Sequence, residues 1–334
     1  MKRFSAARRL VSIGVGAALL ASCGTSATMP HGGAATAAAS SAVHGIQVPV
    51  TAKDGIYVSE DTGQLDRTIF GYRVKNRMNR GPICTVKTGA SGNISVDSKG
   101  NLMVSTGDGG AGLYVFQGPG MCGAELGMIP TDGATFDAAS NDAASGKIVI
   151  GNFETFGTTG VSGDISICTL AGGCSTKLTN AKMFEVVAVA LARNGDCWGS
   201  AYDYRSNPSL TYFKHCAGSG QTATGFVNRG PGGLDIDEHG NLLSIDLRNQ
   251  GLYVYHGCNP TCKLVGGLFP FKGFTTYGHL NNASTAFVGA DSQYGQADVY
   301  AYSPTALTYR YSFNSGLSQQ NGVTGAAYDP RSKE

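Results

Sequence analysis

Ile94-Ser-Val-Asp-Ser-Lys-Gly-Asn-Leu-Met-Val104 alternates apolar and polar residues, breaks at Lys99-Gly100-Asn101, and resumes with the apolar run Leu-Met-Val. An alternating run and a short apolar run on either side of a glycine-centred break are the pattern of two short strands joined by a tight turn. Leu234-Asp-Ile-Asp-Glu-His-Gly-Asn-Leu-Leu-Ser244 repeats it nearly position for position. Val189-Ala-Leu-Ala-Arg-Asn-Gly195 is a looser copy, and Phe136-Asp137, Leu280-Asn281 and Tyr328-Asp329 mark three more. The column reads Val96, Phe136, Leu191, Ile236, Leu280, Tyr328, with steps of 40, 55, 45, 44 and 48 residues. Periods of this size belong to propeller blades or a solenoid.

Each unit carries a third strand. Gly112-Leu-Tyr-Val-Phe116, Gly251-Leu-Tyr-Val-Tyr255 and Asp298-Val-Tyr-Ala-Tyr302 are close copies, and Phe70-Gly-Tyr-Arg-Val74, Ile165-Ser-Ile167 and Leu210-Thr-Tyr-Phe213 are weaker ones. A fourth follows, as at Lys263-Leu-Val-Gly-Gly267. Four short antiparallel strands per unit make a propeller blade. Gly55-Ile-Tyr-Val-Ser59 reads as a second strand with no first strand before it, while Tyr328 opens a unit that the C-terminus leaves incomplete. Pairing the two ends gives an all-β, six-bladed β-propeller with four-stranded blades and no open sheet edge. The Ile/Leu-x-x-Asp-x-x-Gly-Asn-Leu arrangement resembles the NHL-repeat and SMP-30/gluconolactonase-like propellers over roughly residues 55–330.

Composition agrees with that reading. Glycine supplies 49 of 334 residues and charged residues 14%, which disfavours a mainly helical chain because glycine is costly inside helices. At 42% hydrophobic the chain can build a core. With 25 basic against 23 acidic residues and no polybasic patch, nucleic acid is not an expected partner.

The N-terminus gives an address. Lys2, Arg3, Arg8 and Arg9 precede an apolar run, Leu10 to Ala21, too short to span a membrane. The run ends in Leu20-Ala21-Ser22-Cys23, which resembles the bacterial lipobox. That resemblance implies a signal peptide over 1–22 and lipidation of the Cys23 thiol. It makes the protein an exported lipoprotein held to the membrane by its anchor. Gly24 in place of Asp points to the outer membrane or cell surface. Residues 23–50, rich in Ala, Ser and Gly, form a flexible tether, and 51–334 form the propeller. Without the four basic residues of the signal, 25 becomes 21 against 23 acidic, a mature charge of −2.

Eight cysteines remain beyond Cys23, an even number that implies disulfides in an exported chain. Cys168 and Cys174, and Cys258 and Cys262, bracket short loops between third and fourth strands. Cys197 and Cys216 flank a hairpin symmetrically, leaving Cys84 with Cys122 by elimination. No C-x-x-C or C-x-x-H spacing supports zinc.

Chemistry is sparse. Asp97, Asp137, Asp237 and Asp329 read as turn caps at strand ends. His279 falls in an inner strand. Tyr202, Tyr204, Tyr277 and Tyr294 read as loop-tip residues free to meet a ligand. The SMP-30 resemblance implies a divalent cation in the tunnel, held by oxygen ligands, and a metal-dependent hydrolase. At the matching strand entries only Asp132 offers a carboxylate, with Asn321 and Glu185 close by in sequence. That is a partial metal set. The expectation is therefore a monomeric, non-catalytic module with no cofactor, presenting its loop face to a protein, glycan or small molecule.

Overall fold

A computed structural model describes residues 55–61, 67–73, 81–88, 92–107, 112–118, 120–140, 146–155, 163–318 and 322–329. Cys23, the signal segment and the tether lie outside them, as does Asn321. All of the described residues fall in one unit, Ile46–Glu334.

The strands group into six antiparallel sheets, each following chain order from an inner to an outer strand. Blade 1 is the exception that closes the ring. Its inner strand is the C-terminal Val323–Tyr328, paired with Gly55–Asp61 through Ile56 with Tyr328 and Val58 with Ala326. The inner strands of blades 2 to 6 are Ile94–Val96, Gly133–Ser140, Glu185–Leu191, Pro231–Ile236 and Thr275–Leu280. Each packs on the next around the ring, and the last returns to Val323–Tyr328. The protein is a six-bladed β-propeller.

Both faces of every blade are buried, so the core divides into six apolar clusters, one at each blade–blade interface. The third strands anchor these interfaces. Tyr72, Phe116, Phe213, Tyr255 and Tyr300 occupy the same ladder position in blades 1, 2, 4, 5 and 6, and all are buried. Blade 3 places Cys168 there. Each large aromatic ring buried this way stabilises by about 1.5–3 kcal/mol.

The hairpin turns show why the repeat is spelled as it is. Asp97 Oδ1 accepts from the backbone N–H of Lys99 and Asn101 at 2.9 and 2.8 Å. Asp237 does the same with His239 and Asn241 at 2.9 and 2.8 Å. Gly100 and Gly240 take φ of 87° and 80°, a region that L side chains avoid.

Blade 3 corrects the column. Its inner strand pairs Ser140 with Ile148 where the other blades pair Val96 with Leu102, Leu191 with Cys197 and Ile236 with Leu242. Ser140, four residues beyond Phe136, is therefore the structural equivalent of Val96. This hairpin has no Asp-x-x-Gly-Asn turn to mark its register, and its apolar run extends upstream to Phe136.

Disulfides join Cys84 to Cys122, Cys168 to Cys174, Cys197 to Cys216, and Cys258 to Cys262. Among the described residues no helix is long and apolar enough to cross a membrane.

Candidate functional site

With the register corrected, one residue per blade ends the inner strand at the same height: Val96, Ser140, Leu191, Ile236, Leu280 and Tyr328. All six line a cavity of about 450 Å³ at one mouth of the central tunnel. They form a mostly apolar collar. The hairpins above it add a polar rim that includes Asp97, Arg193, Glu238, His239 and Asn282.

One residue further down each inner strand lies a second layer: Ser95, Ala139, Ala190, Asp235, His279 and Ala327. Four of the six are small, so the layer leaves the cavity room. Its two large members are ionisable neighbours. Asp235 is fixed by backbone N–H groups, Ile236 to Oδ1 and Leu280 to Oδ2, each at 2.7 Å. His279 Nδ1 stands 3.5 Å from Asp235 Oδ2. Its Nε2 is buried. Burial opposes charge on the ring, but Asp235, then Asp137 and the Ile94 carbonyl, outweigh it and raise the His279 pKa.

Two residues below Asp235 and His279 a third layer holds Asn93, Asp137, Ala188, Gly233, Tyr277 and Gly325. Asp137 is 1% exposed. It does not cap a turn. Its Oδ1 accepts from Ala138 N and Asn93 Nδ2, both at 2.9 Å, and its Oδ2 from Val189 N of the next blade at 3.0 Å. Asp137 thus bridges blades 3 and 4 as Asp235 bridges blades 5 and 6. Burial pushes its pKa up to about 6, with His279 and these hydrogen bonds pulling the other way. Tyr277 is an inner-strand residue, contrary to its sequence reading as a loop tip. Its hydroxyl donates to the Val187 carbonyl at 3.1 Å, reaching from blade 6 past blade 5 to blade 4. Gly233 makes room for it: a Cβ there would lie 3.2 Å from the Tyr277 ring. Tyr204 and Tyr294 are exposed at loop tips, and Tyr202 lies in a second strand.

The carboxylates matched to the metal pattern do not line this cavity. Asp132 is exposed and ion-paired with Lys177 of its blade's outer strand. Glu185 opens the blade 4 inner strand, at the end opposite the collar. Among the described residues no three His, Cys, Asp or Glu side chains converge as a metal set. The implied tunnel cation therefore does not fit the residues proposed for it.

A second set of aspartates escaped the sequence reading. Asp246 and Asp291 end second strands and Asp203 directly follows one, and the Oδ1 of each accepts from a turn amide, Arg205 N, Arg248 N and Gln293 N for Asp203, Asp246 and Asp291, at 2.9–3.0 Å. Their shared signal is an Asp at or just past the end of each second strand, two residues before the turn amide it caps.

No family model matches the chain, and no curated protein matches it. Solved structures do. A chain in the crystal structure of a nidogen/laminin complex aligns with a TM-score of 0.63 at 12% identity, covering 82% of this chain and 98% of that one. A functionally unknown protein from Desulfotomaculum acetoxidans DSM 771 aligns with a TM-score of 0.51 at 12% identity, covering 78% and 80%. At that identity the likeness is one of fold.

Proposed function

We propose that the protein is an exported, lipid-anchored propeller that serves as a non-catalytic binding module of the cell envelope, with the tunnel-mouth cavity as its ligand site. The observation that carries this reading is the collar: one residue from every blade converges on a single cavity. Its volume falls within the range of about 300–1,000 Å³ typical of small-molecule sites. A rigid ring with variable hairpins above it suits recognition. Disulfides in this number form and persist in oxidising, extracytoplasmic compartments, which supports export. Cys23 would supply the anchor, with Gly24 directing the lipoprotein to the outer membrane or surface. One structural neighbour comes from a complex of two proteins, so a protein loop joins glycans and small molecules as a ligand class. A hydrolase has less support, since Asp132 is engaged by Lys177 away from the cavity.

The test is a thermal-shift screen of sugars, amino acids, polyamines and short peptides against the protein and its Ile236→Trp variant, which fills the cavity. The reading predicts a ligand whose shift is lost in the variant. It fails if no compound shifts the protein, or if every shift survives the substitution. Fatty-acid labelling tests the anchor separately, and persistence of label in Cys23→Ser would refute it.

A further inference from the structure

We propose that His279 is a proton switch for this cavity: loss of its proton unmasks Asp235 and adds one negative charge to the floor of the site. The inference rests on the reading of the cavity as the ligand site and concerns its regulation. The geometry carries it. Asp235 cannot swing away from His279, because two backbone amides on adjacent blades, Ile236 N and Leu280 N, hold both carboxylate oxygens. His279 Nδ1 faces that carboxylate at 3.5 Å, and the side chain is only 15% exposed. Both residues line the cavity, so a change in their joint charge is felt there.

Asp137, one layer below and pushed up to about 6 by burial, titrates in the same range, so its Asn variant serves as a control. Blades 1, 2, 3 and 4 bring Ala327, Ser95, Ala139 and Ala190 to the same layer, none of them ionisable. Blade 3 contributes Asp137 one layer below, and blade 2 the Ile94 carbonyl, and both favour the protonated ring. Among the remaining cavity groups Asp97, Asp196, Asp237 and Glu238 are acidic, Arg193 is basic and His239 is a second histidine at the rim. With His279 protonated, its charge cancels that of Asp235 and the floor is neutral. With His279 neutral, the floor carries −1. Because the acidic neighbours raise the His279 pKa, the change falls above the ordinary histidine value of about 6.5. A cationic ligand then binds more tightly on the alkaline side, and an anionic one on the acid side.

The test needs no knowledge of the ligand. A thiol placed on the collar by Ile236→Cys in the full-length protein is labelled with a cationic and an anionic methanethiosulfonate of similar size. Peptide mapping quantifies modification at residue 236. The ratio of the two rates reports local potential and cancels the thiol's own ionisation. The ratio should rise severalfold between about pH 5.5 and about pH 8.5 as His279 loses its proton. It should lose most of its rise when His279→Asn is added, move to lower pH when Asp235→Asn removes the carboxylate that holds the ring's proton, and keep most of its rise when Asp137→Asn or His239→Asn is added. If His279→Asn fails to fold, as circular dichroism reports, a rise that stays in place on Asp235→Asn overturns the switch instead. A flat ratio in the Ile236→Cys protein, or a rise that His279→Asn leaves unchanged, overturns the switch. These outcomes are separate from the ligand screen: ligands displaced by Ile236→Trp alongside a flat ratio sink the switch alone, while a rising ratio with no ligand sinks the binding module alone.

Discussion

Replacing Asp137 with Asn should flatten one component of the protein's pH–stability profile. Asp137 is buried, and its pKa is raised from 3.8 to about 6. For an acid held above its unfolded value, the native state binds the proton more tightly than the unfolded chain. The associated stability is present below about pH 4 and is lost as pH rises towards about 6. A rise of that size corresponds to about 3 kcal/mol. His279, also raised, adds a loss in the same direction at higher pH, as pH climbs through its folded value. At the acid end Asp203, held down to about 2 by the Asn207, Lys182 and Arg205 contacts, works in the opposite sense. The Asp137→Asn substitution removes the titration but turns an amide nitrogen towards a backbone N–H, either Val189 or Ala138. An unsatisfied buried donor costs about 1–3 kcal/mol. Asp137→Asn should therefore be clearly less stable than wild type near pH 4 and close to it near pH 7. Urea unfolding of both proteins across this range, at fixed ionic strength, gives the difference curve. A difference independent of pH, or one that widens towards neutrality, would refute the buried-carboxylate argument.

Three further outcomes follow from the ring. Removing residues 322–334 takes away the inner strand of blade 1 with buried Val323, Ala326, Ala327 and Tyr328; about 1.5–3 kcal/mol for each large side chain and an exposed strand edge should produce aggregation or a much lower Tm, and an unchanged melting curve would contradict closure. Tyr277→Ala should cost about 3–5 kcal/mol by the cavity it leaves, whereas Tyr277→Phe, losing only the hydrogen bond to Val187, should cost about 0.5–1.5 kcal/mol; equal losses in calorimetry would show that the ring does not pack across the tunnel. Cys84 and Cys122 are 38 residues apart, against 19 for Cys197 and Cys216 and 6 and 4 for the other pairs. Loop closure then ranks the double alanine variants, with about 4, about 3 and about 2 kcal/mol lost in urea melts, and a reversed order would remove chain entropy as the cause.

The blades were legible because their signals are local. Alternation, the Asp97-to-Asn101 and Asp237-to-Asn241 turns, and the split strands at Ile56 and Tyr328 each occupy a few neighbouring residues. Blade 3 misled for the same reason: Phe136-Asp137 imitates the strand-ending pair, and only the ladder partner Ile148 reveals that Ser140 belongs there. The site was less visible because it is built across blades. Asp137 meets Val189 52 residues away, and Tyr277 meets Val187 across 90. Neither contact has a sequence period. Once the register is corrected, the column that marked the repeats turns out to be the wall of the cavity, so its location was present in the sequence but its chemistry was not. The lipobox reading at Cys23 concerns residues outside the described structure and stands on the sequence.

All eight bonded cysteines lie towards the collar end of the blades, in the loops between third and outer strands or at the strand ends beside them, and Cys258 itself lines the cavity. Among the described residues, the loops at the opposite end contain none. The molecule is therefore two-sided in its tolerance of change. Insertions, affinity tags or loop grafts placed between second and third strands, as at Tyr204 or Tyr294, leave every crosslink intact. The same edits on the collar side would have to respect four covalent closures. A reductant would likewise act on the collar side and leave the far face chemically unaltered.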